Sequence, residues 1–186
     1  MKIFLIGCFI ALSCFSNAQG SAFQWVKGFG SDSSEVGQKI VVDNLGNLYT
    51  LGTCQFGATT LGSAAAIVDF DPGPGTYTLV AHERDVFISK LDNNGNFIWA
   101  KLIETYNVSL SLSGSLIAND IKVDAVGNLI VTGYYSGVID FDPNIGVFNS
   151  YPQYGDYDAF VLKLDVNGNF LWERDFGGNS NRHYIS

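Results

Sequence analysis

Four times along the chain an apolar run stops at an Asp-x-x-Gly-Asn corner and resumes at once, at 43–47, 92–96, 124–128 and 165–169. Around the second corner, Val86, Phe87, Ile88 and Leu91 lead in, and Phe97, Ile98 and Trp99 lead out. Runs this short, rich in β-branched and aromatic residues and punctuated by turn residues, predict β-hairpins. Glycine at the fourth position suits the left-handed backbone of a type I turn plus bulge, and the aspartate can cap the turn's own amides. Gly46, Gly95, Gly127 and Gly168 are therefore read as structural turn residues. The pattern places strands near 40–43, 47–52, 86–91, 97–102, 121–124, 128–133, 159–164 and 170–175.

The hairpins repeat in pairs. Residues 40–52 overlay 121–133 at an offset of 81, and residues 85–99 overlay 158–172 at an offset of 73. A partial third copy opens earlier, where Trp25, Lys27, Phe29 and Gly30 match Trp172, Arg174, Phe176 and Gly177. Self-similarity at a long fixed period is the mark of repeat architectures. Two hairpins per repeat make a four-stranded antiparallel sheet, and such sheets recurring along a chain predict all-β propeller blades. Both faces of a blade need apolar residues, which accounts for continuous runs such as Phe160, Val161 and Leu162. Trp99 and Trp172, one per repeat, are expected to fill equivalent places between blades.

The segment Asp85-Val86-Phe87-Ile88-Ser89-Lys90-Leu91-Asp92-Asn93-Asn94-Gly95-Asn96-Phe97-Ile98-Trp99, its copy ending at Trp172, and Phe176-Gly177-Gly178 resemble the bacterial seven-bladed β-propeller repeat of exported proteins, often abbreviated SBBP. The resemblance spans residues 23–186 and is specific to the repeat, not to an activity. It implies a secreted or surface protein of Gram-negative bacteria, in a family where some members carry a C-terminal type IX sorting domain. No such domain is evident in the sequence.

The expected organisation is a signal peptide at 1–18, an N-terminal strand of a partial repeat at 19–39, a blade at 40–104, an inter-blade connection at 105–120, a second blade at 121–178, and the start of a further repeat at 179–186. About two blades plus one strand make an incomplete ring, because closed propellers need about four or more. The remaining blades are expected from a longer chain or from other chains.

The leader reading rests on Lys2, the apolar run from Ile3 to Phe15, and Ser16-Asn17-Ala18 as a cleavage signal before Gln19. The run is too short for a membrane span. Leu5-Ile6-Gly7-Cys8 resembles a lipobox and leaves lipidation as an alternative. Removing the leader takes Cys8 and Cys14 with it, so Cys54 has no intramolecular disulfide partner and is read as a small buried apolar residue. The sequence is 47% hydrophobic with a net charge of minus 8, which excludes a disordered chain and disfavours nucleic acid.

Two candidate sites remain. Asp69, Asp71 and the loop after them recur as Asp140, Asp142 and Asn144. Their alternating carboxylates are spaced as in a calcium loop, with Asp156 or Asp158 as further ligands, while the competing reading is a capped Asp-Pro turn. Tyr134, Tyr135, Tyr151, Tyr154 and Tyr157 form loops suited to glycans or protein partners. The sequence has no Gly-x-Ser-x-Gly, His-Glu-x-x-His, phosphate-loop or paired Cys-x-x-Cys motif, and His82 and His183 adjoin no repeated motif. The expected function is a secreted binding or adhesion scaffold without a cofactor. The alternative is a secreted propeller hydrolase or lyase acting on polysaccharide.

Overall fold

The structure is a computed structural model that describes residues 24–32, 34–55, 65–82, 84–105, 114–152 and 157–177. Among these residues there is no helix, and twelve antiparallel strands form three sheets. The first repeat contains β1 (Ser34–Val42), β2 (Leu48–Gln55), β3 (Ala65–Asp69), β4 (Thr78–His82), β5 (Val86–Leu91) and β6 (Phe97–Thr105). The second contains β7 (Ser115–Val123), β8 (Leu129–Ser136), β9 (Ile139–Asp140), β10 (Asn149–Ser150), β11 (Asp158–Leu164) and β12 (Phe170–Phe176).

Each repeat is a four-stranded meander with a small hairpin inserted between its second and third strands. The meanders run β1-β2-β5-β6 and β7-β8-β11-β12. The inserted hairpins, β3–β4 and β9–β10, lie where the sequence suggested only a turn. The second insert also ties the repeats together, because β9 pairs with β6 through Glu104–Asp140 and Thr105–Ile139. The same tie occurs one repeat earlier as the isolated bridge between Gly30 and Asp69.

The four corners share one construction. In the first, the amide of Gly46 donates to the Asp43 carbonyl and that of Asp43 to the Asn47 carbonyl, each at 3.0 Å. Asp43 Oδ1 accepts the amides of Leu45 and Asn47, and Asn47 Nδ2 donates to Asp43 Oδ2 at 2.8 Å. Asp92, Asp124 and Asp165 repeat this pattern with Asn96, Asn128 and Asn169. Gly46, Gly95, Gly127 and Gly168 all have positive φ, between 77° and 91°. The closing asparagine thus locks the aspartate, a role that spacing alone does not reveal.

Two strand boundaries differ from the sequence reading. β1 begins at Ser34, so 34–39 belong to the first meander, and β7 begins at Ser115, inside the expected connection. Both strands carry a register shift, between Gly37 and Lys39 and between Ala118 and Asp120. A bulge resets the in–out alternation, and the polar residues beside it hide the strand from a period-two pattern.

The main core lies between the two meanders. Tyr49, Leu51, Val86, Ile88, Trp99 and Ile103 of the first face Leu116, Ile121, Leu129, Val131, Phe160 and Leu162 of the second. On the opposite face of the first meander, Cys54, Phe87, Ala100 and Leu102 pack with Val68, Phe70 and Ala81 of the inserted hairpin and with Phe29. β5 therefore buries every side chain, which is why Val86, Phe87 and Ile88 form an unbroken apolar run.

Candidate functional site

The repeats meet at a joint that is built twice. Trp99 leaves the corner of its own hairpin and lies over the 165–169 corner of the next repeat, where its Nε1 donates to the Val166 carbonyl at 3.3 Å. Lys90 Nζ donates to the same carbonyl at 3.3 Å and stands 4.9 Å from the centre of the Tyr49 ring. A Cβ at Gly168 would sit 3.2 Å from the Trp99 ring and 3.1 Å from Lys101, so glycine serves both the turn and the ring above it. One repeat earlier Trp25 Nε1 donates to the Asn93 carbonyl at 3.3 Å, and a Cβ at Gly95 would meet Trp25 at 3.0 Å and Lys27 at 3.2 Å. A tryptophan, a cation two residues later, and the second Asp-x-x-Gly-Asn corner that follows along the chain make up each joint.

Strand register identifies a third copy of the tryptophan side. In the first meander Tyr49, Lys90 and Trp99 form one cross-strand row, Leu51, Ile88 and Lys101 the next, and Thr53, Val86 and Ile103 a third. The second meander repeats these as Ile130, Lys163 and Trp172, then Thr132, Val161 and Arg174, then Tyr134, Ala159 and Phe176. The first set is covered by the second repeat. The second set is not: Trp172 is 37% exposed and Phe176 53%, against 9% and 1% for Trp99 and Ile103. The expectation that Trp99 and Trp172 occupy equivalent buried places is therefore corrected, because of these two rings Trp99 alone has a neighbouring corner among the described residues to rest on. In comparisons with family models, curated proteins and solved structures, nothing matches the chain.

The alternating carboxylates act as turn caps. Asp69 Oδ1 accepts the amides of Asp71 and Tyr77, and Asp140 Oδ1 accepts those of Asp142 and Phe148. Asp71 and Asp142 each accept the amide two residues on, from Gly73 and Asn144. Asn144 Oδ1 accepts a hydrogen bond from Lys101 Nζ at 2.6 Å, so it bridges the repeats. Asp158 is buried at the start of β11, and Asp156 lies outside the described residues. Among the described residues no group of three or more His, Cys, Asp or Glu side chains is arranged to hold a metal ion.

The tyrosines divide. Tyr134 and Tyr135 are in β8, not in a loop as expected, because the apolar alternation of that strand runs on past Gly133. Tyr135 is fully buried, with its hydroxyl 3.0 Å from Asp175 Oδ2. Tyr134 packs edge to face with Tyr157, ring centres 5.5 Å apart. Tyr151 is 62% exposed beyond β10, and Tyr154 lies outside the described residues. Cys54 is buried and free, its thiol pushed up to about 12 by burial and by the charges of Asp85 and Glu35, conditions that suppress the nucleophilic thiolate. No helix among the described residues is long and apolar enough to cross a membrane.

One ionisable group escaped sequence reasoning because it belongs to no repeated motif. Glu173 is buried in β12, with Ser150 Oγ donating to its Oε2 at 2.9 Å and no partner for Oε1 among the described residues. Burial, helped by the neighbouring Asp175, pushes its carboxyl up to about 7, while the Ser150 bond opposes the shift. The folded chain then holds this proton more tightly than the unfolded one, so its contribution makes stability fall as pH rises between about 4.5 and 7, and level off above that. Urea titrations of wild type and Glu173→Gln across this range should show a flatter dependence in the variant and greater stability at pH 8. Buried Asp85, also raised, maintains a residual slope in both.

Proposed function

We propose that the chain is a secreted or cell-surface repeat scaffold of the SBBP β-propeller type it resembles, with its four-stranded meanders acting as blades stacked side by side. The observation that carries this reading is the joint by which Trp99 sets the first meander against the second, made with the same groups where the segment of Trp25 meets the first meander. The inserted hairpins support it, since β9 pairs with the outer strand β6 of the preceding unit and β3 makes the matching single bridge to Gly30. Rigid units joined in this way hold loops in fixed positions, as a binding surface requires. Tyr151 offers an exposed aromatic ring for stacking on a sugar or for a protein contact. We assign no catalytic residue.

Presenting the full chain to a glycan array and to a panel of soluble polysaccharides tests the proposal. Saturable binding, weakened about tenfold or more by Tyr151→Ala, corresponding to about 1.4 kcal/mol, is the expected result. Polysaccharide turnover that disappears in Glu173→Gln would replace the scaffold by the hydrolase or lyase reading.

A further inference from the structure

We infer that the uncovered face of the second meander, centred on Trp172 and Arg174, docks the bare Asp-x-x-Gly-Asn corner of a further unit of this repeat. The inference deepens the scaffold reading and rests on it, but its support comes from the two joints already formed.

Both joints use the same groups. An indole N–H donates to the carbonyl of an inner corner residue, Asn93 or Val166, and the glycine two residues later leaves room for the ring. A cation two residues after the tryptophan, Lys27 or Lys101, lies against the same glycine. Burial pushes the Asp165 carboxyl up, but hydrogen bonds from Asn169 and Asn167 and the charge of Lys101 outweigh it and hold the group below its ordinary range, so the cation is electrostatically matched to the corner's aspartate. Trp172 and Arg174 present the same donor and cation at the same register positions. The indole N–H of Trp172 has no partner among the described residues, and the rows beside it contain Ile130, Val161 and Phe176, a half-exposed apolar floor. An indole with a free donor, a neighbouring cation and an apolar floor fits a corner that offers a backbone carbonyl, a carboxylate and a glycine.

The occupant is a further unit rather than an intact second copy. The tryptophans grip only the corner of a repeat's second hairpin, and in a second copy both corners of that kind are already covered, 92–96 by its own Trp25 and 165–169 by its own Trp99. An intramolecular cover has the advantage of effective concentration over a free molecule. The cover on the first corner is local: residues 24–29 belong to no strand, the segment is anchored by the Gly30–Asp69 bridge and by the Phe29 ring against Phe70 and Phe87, and Trp25 and Lys27 lie on the corner itself. Removing Trp25 therefore bares a corner in an otherwise unchanged chain and turns that chain into a probe for the missing unit.

The experiment mixes nitrogen-labelled full-length wild type with unlabelled Trp25→Ala chain. Expected results are association at least about tenfold tighter than that of wild type with itself by sedimentation velocity, and slowed hydrogen exchange at the Trp172 indole alone. Trp172→Ala in the labelled partner should remove both effects. Trp25→Phe, which retains the ring and loses the donor, should raise association to a smaller extent, and it serves as the probe if Trp25→Ala does not fold. Wild type that associates with itself as tightly as with the probe would make an intact second copy the occupant and overturn the inference. Absence of association by a probe with a wild-type near-ultraviolet spectrum would also overturn it, while leaving the scaffold reading in place. That reading fails separately if the Trp99 indole of wild type exchanges as fast as the Trp172 indole.

Discussion

Trp99→Ala should lower the unfolding free energy by about 3–5 kcal/mol, the range for truncating a large buried aromatic side chain. The ring is 9% exposed, packs edge to face with Tyr49 at 6.1 Å, covers Gly168, and donates to Val166. Alanine leaves a cavity between the sheets and removes the donor from the Val166 carbonyl, and the second loss is softened because Lys90 also bonds that oxygen. Trp172→Ala is the internal control. Its ring occupies the matching place in β12 but is 37% exposed, and its replacement should cost less than about 1 kcal/mol, nearer to a surface substitution. Urea denaturation of both variants, with unchanged m-values, measures the difference. Equal losses would mean that the two rings are equally buried and would contradict the assignment of one covered and one uncovered set of cross-strand rows.

Gly133→Ala should be the most damaging glycine substitution, costing more than about 3 kcal/mol or preventing folding. A Cβ at Gly133 would run into the Ile117 carbonyl oxygen and the Ala118 backbone, atoms that cannot rotate away. The cause is the bulge in β7, where the register shift between Ala118 and Asp120 brings the neighbouring strand against β8. Gly52 stands at the matching place in β2, and a Cβ there would strike the Phe87 ring and the Val36 carbonyl beside the bulge of β1. Gly37 is the contrast, since its Cβ would meet only the Thr50 methyl at 3.6 Å, an ordinary contact. Gly37→Ala should change stability by no more than about 0.5 kcal/mol. Thermal unfolding of the three variants, monitored by far-ultraviolet circular dichroism, orders them.

The hairpins were legible because local chemistry decides them: a corner that satisfies its own amides with one aspartate and one asparagine needs nothing from the rest of the fold. The meander order followed from the spacing of those corners. The bulges were hidden, because at Gly37–Lys39 and Ala118–Asp120 polar residues and a register shift coincide, and alternation cannot be followed through either. The β9–β10 hairpin was hidden for a different reason. It consists of two residue pairs whose position depends on β6 of the preceding repeat, a contact that no local pattern encodes. The tryptophans show both sides of the problem. Spacing identified Trp99 and Trp172 as equivalent, but burial depends on what stands opposite, and only the assembled sheets supply that. Glu173 was invisible because its shift comes from burial among neighbours distant in sequence, such as Ser150.

The tryptophan joint has a direction. Trp25 and Trp99 each reach forward to a corner further along the chain and neither reaches back, so the units form a polar series in which both eyes are filled and one hook stands free. Three tryptophans meet two hairpins of the kind they grip, and the arithmetic of a linear series leaves one hook unmatched however many units it holds. Closure of these units on themselves would not balance the count either, because Trp25 already holds the first corner, so the tendency to go on adding units in one sense is written into the side on which each indole lies.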